Sequence, residues 1–472
     1  MPRPRRDQDK RDTVPIKPAK SQRPVFRKRD KGDTVPSGYL GGVTLAATYP
    51  DHLAALQRGY EAALAAHGFD AVVLCSGTAA PRSRFDDQAW PLLPTPAFAH
   101  WCPLVEADAF IVVAPGARPR LVRTTVDDYW EAVAPPDSNH FWPCFEVVDV
   151  APGRAADALP TGKVAVITRD ELAPPGTVNP PALLAALDLL RTRKSAYEIE
   201  CLADASRRAA RGHNKAAELF RTTAPSELEL HLAYLAASEQ DELWTPYKGI
   251  VALGPHAAVL HYVAYTRERI TGDTSLLIDA GARCLGYGSD ITRTYVRGDG
   301  AAARRYADLL DRLEALQQDI VQRIKPGLPY EELHDTAHHL MAAALRELGI
   351  GRADPEELVA RGVTRALFPH GLGHSLGVTV HDVGMKPRAP RADNKFLRNT
   401  SVIEPGQVFT IEPGIYVIDG LLAPLAHDDR KALLDWGAID ELRPFGGIRI
   451  EDNIAVEPRG IRNLTREAFA EA

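Results

Sequence analysis

The sequence predicts two folded domains behind a basic tail: an α/β domain, then a larger one in which long helices alternate with strand-rich stretches. Three observations carry this reading. Short apolar runs alternate with helix-period segments up to about residue 190, four long helical patterns separated by strand-like runs follow, and the first 43 residues show neither period. With 472 residues, 45% apolar and 25% charged, the chain is long enough to bury two cores.

Taken in order, residues 1–43 hold twelve Lys and Arg against five Asp, a net +7, with prolines between the charges. So little apolar surface cannot offset the entropy of ordering, and the segment is expected to be a disordered, solvated tail. Residues 44–191 form the first domain. Asp51 to His67 has helical periodicity, Ala71-Val-Val-Leu-Cys75 reads as a buried strand, and Ala109 to Val113, Leu121-Val122 and Lys163 to Ile167 continue the alternation. Arg191-Thr-Arg-Lys-Ser195 reads as a linker into the second domain, 192–472, with helices at 195–220, 226–238, 301–324 and 330–348.

Bulk properties narrow the function. A net charge of -6 gives no global attraction to nucleic acid or anionic membrane. The five cysteines are scattered without a CxxC pair, which argues against a disulfide framework or a thiolate zinc site. No apolar run approaches the roughly 20 residues that span a bilayer, and no secretory signal follows the basic start. A cytoplasmic protein with small or peptidic substrates, and neither membrane nor nucleic acid as partner, is the expectation.

The strongest polar signal is a hairpin in the second domain. Ser275 to Gly281 and Tyr287 to Tyr295 are strand-like runs joined by a short turn, and a pairing symmetric about Cys284 and Leu285 sets Asp279 opposite Asp290. Two facing carboxylates among apolar neighbours destabilise a sheet unless a cation lies between them. Further oxygen and nitrogen donors follow: three histidines in Phe368 to His381, a glutamate at the end of Phe409-Thr-Ile-Glu412, and Arg449 and Glu451 on one face of Gly447 to Asp452. Four carboxylates with a histidine suit manganese, cobalt or another hard-to-borderline dication better than a structural zinc.

The chain from about Tyr49 onward closely resembles the bacterial Xaa-Pro dipeptidases (prolidases) of the pita-bread metallopeptidases, and the related organophosphorus acid anhydrolases. The marks are Ile250 to Tyr262, Ile278-Asp-Ala-Gly281, Asp290-Ile-Thr-Arg-Thr294, Pro369-His-Gly-Leu-Gly-His374, Val380-His-Asp-Val-Gly384, Ile411-Glu-Pro-Gly-Ile-Tyr416 and Pro444 to Asn453. The resemblance implies a creatinase/prolidase-type α/β first domain, an α+β pita-bread catalytic domain, and a homodimer. It implies two divalent cations, Mn2+ first with Co2+ or Zn2+ as alternatives, held by Asp279, Asp290, His374, Glu412 and Glu451, with Asp290 and Glu451 as bridges. It implies Glu412 as proton shuttle, and His370 and His381 orienting the substrate and stabilising the oxyanion. His261 and Tyr247 line the pocket, Arg398 recognises the free carboxylate of an Xaa-Pro dipeptide with Arg449 as second candidate, and Asp87 reaches the site from the partner subunit. Lys248 departs from the small residue expected beside Tyr247. The insertion Leu421 to Trp436 favours a dipeptidase over an aminopeptidase P or an organophosphate-triester hydrolase, and the presence of all five ligands disfavours a metal-free binding protein.

Overall fold

The computed structural model describes residues 45–85, 87–124, 138–169 and 173–472; the expected tail of residues 1–43 and Asp86 lie outside them. The first domain is built on a six-stranded mixed sheet. In chain order its strands are β1 (Ala71–Cys75), β2 (Phe110–Val113), β3 (Arg120–Thr124), β4 (Glu146–Val150), β5 (Val164–Ile167) and β6 (Thr177–Val178), arranged in space as β4-β3-β2-β1-β5-β6. β1 runs antiparallel to β2 and parallel to β5. It is buried along its whole length, which is why it reads as a continuous apolar run. Helices α1 (Leu45–His67), α2 (Pro96–Trp101) and α3 (Pro181–Leu190) accompany this sheet.

The linker then enters α4 (Ala196–Thr222), whose start is set by a reciprocal cap: Ser195 Oγ accepts from Glu198 N (3.3 Å), and Glu198 Oε2 accepts from Ser195 N (2.8 Å). The same device, Ser226 with Glu229, opens α5 (Glu227–Ser238). Next come β7 (Ile250–Leu253), β8 (Thr274–Asp279), β9 (Arg283–Cys284), β10 (Tyr287–Gly288) and β11 (Thr292–Arg297). Helices α6 (Ala301–Gln322) and α7 (Tyr330–Glu347) follow, with the short α8 (Pro355–Ala360) and α9 (Val363–Leu367). α6 buries Tyr306, Leu309, Leu313, Leu316 and Ile320, the alternating three- and four-residue spacing of a one-sided amphipathic helix. The chain ends with β12 (Val408–Ile411), β13 (Gly414–Tyr416), α10 (Asp419–Ala426), α11 (Trp436–Leu442), β14 (Gly447–Arg449), β15 (Asp452–Glu457), β16 (Gly460–Asn463) and α12 (Leu464–Glu471). No helix among the described residues is long and apolar enough to cross a membrane.

Two expectations about the strands need correction. The β8–β11 hairpin turns at Leu285-Gly286, both at positive φ (49° and 93°), as the two-residue turn that matches strand twist requires. Cys284 therefore pairs with Tyr287 and Asp279 with Thr292, not with Asp290. The register differs from the expected one by two positions, and a shift of two preserves the face, so Asp290 stays beside Asp279 but diagonally. The run Gly447 to Asp452 is likewise not one strand: β14 pairs with β13 while β15 pairs with β12. Glu451 sits where the chain changes sheets, bridged to Thr292.

That bridge joins two groups of strands. β11, β8 and β7 form one sheet, and β12, β15 and β16 another. One group brings Asp279 and Asp290 to the seam, and the other brings His374, Glu412 and Glu451.

Candidate metal centre

Backbone pairing sets the position of each donor. Asp279 is the last residue of β8 and Asp290 lies two residues before β11. Residues 372–376 lie along β12: Thr410 N donates to His374 O (2.9 Å) and Glu412 N to Leu372 O (2.8 Å). Glu451 N donates across the seam to Thr292 O (3.1 Å). Gly373 makes this approach feasible, because a Cβ there would collide with the Thr410 carbonyl and the Tyr330 hydroxyl. Gly373→Ala is expected to cost about 1–3 kcal/mol by overpacking and to lower turnover, since His374 moves with its neighbour. Wild-type melting and wild-type turnover together would contradict this packing.

The donors converge in three overlapping sets, Asp279 with Asp290 and Glu451, His374 with Glu412 and Glu451, and Asp290 with His374 and His381, each with its ligand atoms within 4.8 Å of one another. His374 Nδ1 donates to Ser375 O (3.0 Å), so the Nε2 lone pair faces Asp290 Oδ2 (3.4 Å), Glu412 Oε1 (3.7 Å) and Glu451 Oε1 (3.9 Å). Tyr247 Oη lies 2.7 Å from Asp279 Oδ1 and 2.5 Å from Asp290 Oδ1, yet it has one proton for two carboxylates. Burial pushes Asp290, Glu451 and Glu412 upward, the last to about 7, and the neighbouring carboxylates add to the rise. The nearest fixed cation is Arg449, which reaches Asp279 Oδ2 at 2.6 Å. One guanidinium cannot balance four carboxylates, three buried and Glu412 partly so, whereas two dications would. The donor set therefore fits a pair of divalent cations.

Around the cluster the histidines take distinct forms. His370 Nδ1 donates to Gly371 O (2.9 Å) and its Nε2 accepts from Tyr416 Oη (2.9 Å), which in turn accepts from Arg449 Nη1 (2.7 Å). Burial and the Arg449 charge lower His370 to about 3, so it is neutral, with no N–H left over for a substrate. His381 Nδ1 accepts from Arg398 Nη1 (2.8 Å), which leaves its Nε2–H as a free donor, and burial, His374 and Arg398 lower it to about 3. The buried Arg449 donates through all three nitrogens, to Thr292 Oγ1, Tyr416 Oη and Asp279 Oδ2. Its ion-pair partner is Asp279.

His261 is exposed on the irregular stretch after residue 258, near enough to help lower His381. Lys248 lies over the Tyr265 ring at 5.0 Å. Asp87, exposed on a loop of the first domain, accepts from Gln88 Nε2 (3.3 Å); among the described residues no hydrogen bond or ion pair joins it to the cluster.

The sequence from 200 to 458 matches the model of metallopeptidase family M24. The chain belongs to metallopeptidase family M24. Residues 47–189 of this M24 protein match the model of the Xaa-Pro dipeptidase N-terminal domain. An Xaa-Pro dipeptidase of Marinobacter nauticus is 43% identical over 426 residues, covering 89% of this chain and 97% of that one. A second, from Pseudoalteromonas atlantica, is 37% identical over 443 residues, covering 90% and 98%. Among solved structures, Pseudomonas aeruginosa aminopeptidase PepP (TM-score 0.67, 24% identity, covering 90% and 96%) and zinc-substituted Escherichia coli aminopeptidase P in complex with product (0.68, 22%, 91% and 98%) share the two-domain, pita-bread fold.

Several supports of the donor cluster went unassigned in the sequence. Tyr416 and Thr292 lie inside quoted motifs but show no spacing that marks them as props. Asp382, next to His381, is paired with Arg191 and with Lys194 Nζ (2.9 Å) from the interdomain linker, nearly two hundred positions away. His213 on α4 donates through Nε2 to Ala280 O (2.9 Å), bracing the end of β8 from behind.

Proposed function

We propose that this M24 protein is a cytoplasmic Xaa-Pro dipeptidase that carries two divalent cations on Asp279, Asp290, His374, Glu412 and Glu451. The single observation that carries the reading is that buried donor set with the Arg398–His381 pair beside it. The relatives 37–43% identical over most of the chain are Xaa-Pro dipeptidases, which favours the same substrates here. Cations bound there supply Lewis-acid activation of water and of the scissile carbonyl, in addition to neutralising the carboxylates. Manganese is the proposed metal, with cobalt or zinc as alternatives, and a homodimer is the proposed assembly.

Within this reading Glu412 takes the proton of the attacking water and delivers it to the proline nitrogen. Its position near 7 when metal-free reflects the burial and negative surroundings that tune a carboxyl for such transfer. The imide nitrogen of Xaa-Pro has no hydrogen, so it leaves only after protonation. His381 offers Nε2–H to the oxygen that becomes negative, while His370 fixes Tyr416, and Tyr416 fixes Arg449. Arg398 pairs with the C-terminal carboxylate of the dipeptide, which a planar guanidinium can hold through two parallel bonds. His261 and Tyr247 border the pocket, and Asp87 contributes from the partner subunit.

The test is turnover of Ala-Pro against Ala-Pro-Ala by metal-stripped protein with manganese, cobalt or zinc added back. The expected result is metal-dependent hydrolysis with a preference for the dipeptide of at least about tenfold, the scale of one good polar contact. Comparable rates on the tripeptide would move the reading to an aminopeptidase P.

A further inference from the structure

Arg398 lies in a stretch, 386–400, with no regular structure beyond the turn Ala392–Asn394. A side chain that must meet a substrate carboxylate needs sub-ångström placement, which an exposed loop does not supply by itself. Here the placement comes from α7. Glu331, near the start of that helix and 2% exposed, accepts from Arg391 N (3.0 Å) and Asn394 Nδ2 (3.3 Å) and pairs with Arg388 (2.7 Å). One turn on, Asp335 takes Arg391 Nη2 on both oxygens (2.6 and 2.5 Å) and Asn394 Nδ2 at 3.0 Å. Asn394, buried beneath the loop, completes its set by accepting from Arg365 Nη2 (3.1 Å).

The tie passes directly to Arg398. Leu397 N donates to Asn394 O (2.8 Å), and the Leu397 side chain is fully buried in the main core of the second domain. The backbone there passes so close to Gly371 that a Cβ at that glycine would lie 3.0 Å from Leu397 Cα and 3.5 Å from Arg398 N. The loop is thus clamped between α7 on one side and the segment between His370 and His374 on the other. Arg398 projects from the clamped end onto His381 Nδ1. At the other end Thr400 N donates to Met385 O (2.9 Å) and Thr400 Oγ1 to Arg388 O (2.8 Å), which closes the loop on itself.

We propose that Glu331 and Asp335, acting through Asn394, are positioning residues for Arg398 and so set how strongly the enzyme prefers substrates whose carboxylate directly follows proline. This rests on the role of Arg398 given above. Neither acid touches the donor cluster, so their removal reaches the site only through Arg398 and the His381 ring that Arg398 holds.

The experiment compares full-chain, manganese-loaded Glu331→Gln, Asp335→Ala, Arg398→Ala and the double variant Glu331→Gln/Arg398→Ala on Ala-Pro and Ala-Pro-Ala. Asp335 is half-buried on the helix surface, so its variant tests the idea even if Glu331→Gln folds poorly. Displacement of a binding group by about 1 Å can cost up to about a hundredfold, and the expected result is a KM for Ala-Pro raised about tenfold with kcat falling by a smaller factor, since the Arg398 bond to His381 Nδ1 loosens with the loop. The Ala-Pro over Ala-Pro-Ala preference falls by the same factor, and the double variant is no worse than Arg398→Ala. Unchanged KM in both acid variants, a loss confined to kcat, or fully additive losses in the double variant overturn the inference while leaving the role of Arg398 standing. Wild-type KM and preference in Arg398→Ala overturn both.

Discussion

Glu412→Gln is expected to lower kcat on Ala-Pro by about 10²–10⁴-fold, the usual contribution of a positioned general acid–base group. KM should change little at saturating metal. Glutamine has nearly the shape of glutamate, and the backbone bond from Glu412 N to Leu372 O that sets the strand end is untouched, so the variant should fold. An amide cannot relay a proton from water to the proline nitrogen. Removing one of four clustered carboxylates also relieves repulsion, since desolvation and the nearby aspartates already push Glu412 up to about 7 against the pull of His374 and Arg449. In chelator the variant should therefore melt at or above the parent's temperature. Two measurements decide: kcat at saturating manganese, and melting in chelator. A variant that keeps more than about a tenth of parental kcat refutes the relay role.

Lys194→Met should cost about 3–5 kcal/mol of stability, the usual result of breaking a buried ion pair from one side. Lys194 and Asp382 each have side chains only 1% exposed, with Nζ and Oδ2 2.9 Å apart. Burial alone would push the Asp382 carboxyl up, but Lys194 and Arg191 override it and hold it below the usual carboxylate value. A carboxyl whose folded pKa lies below its unfolded one stabilises the fold above about pH 3.9, and that contribution is lost as pH falls through the folded pKa. Without Lys194 the burial penalty gains ground. Parent and variant should then differ most near neutral pH, draw closer on acidification as the variant's Asp382 protonates first, and converge once pH falls through the parent's lowered value. Denaturant melts at pH 7 and pH 4 test this, and a constant or widening gap on acidification would contradict it. Activity should fall as well, since Asp382 anchors the residue next to His381.

How much was legible beforehand depends on whether the interaction is local. The four long helices lie within two residues of their expected limits, as the buried face of α6 illustrates, because helical period is written in neighbouring residues. The hairpin carrying Asp279 and Asp290 was legible as a hairpin, but its register depends on turn geometry. Positive φ at Leu285 and Gly286 moved the turn one residue along, and Asp290 became a diagonal neighbour instead of a direct one. Gly447 to Asp452 shows the same limit: alternation gives the facing of side chains, while the strands they pair with are far away in sequence.

By itself the sequence determined the order of elements and the set of residues able to bear the chemistry: four carboxylates, a histidine-rich glycine segment and the motifs around them. Only the tertiary structure decided which atoms face one another. It commits Arg449 to Asp279, Tyr416 and Thr292, leaves His370 without a free N–H, keeps one on His381, and ties the Arg398 loop to α7. The reason is physical. Propensity and periodicity act between residues a few positions apart, whereas partner choice for a buried charge is set by desolvation, which appears only once distant segments have packed.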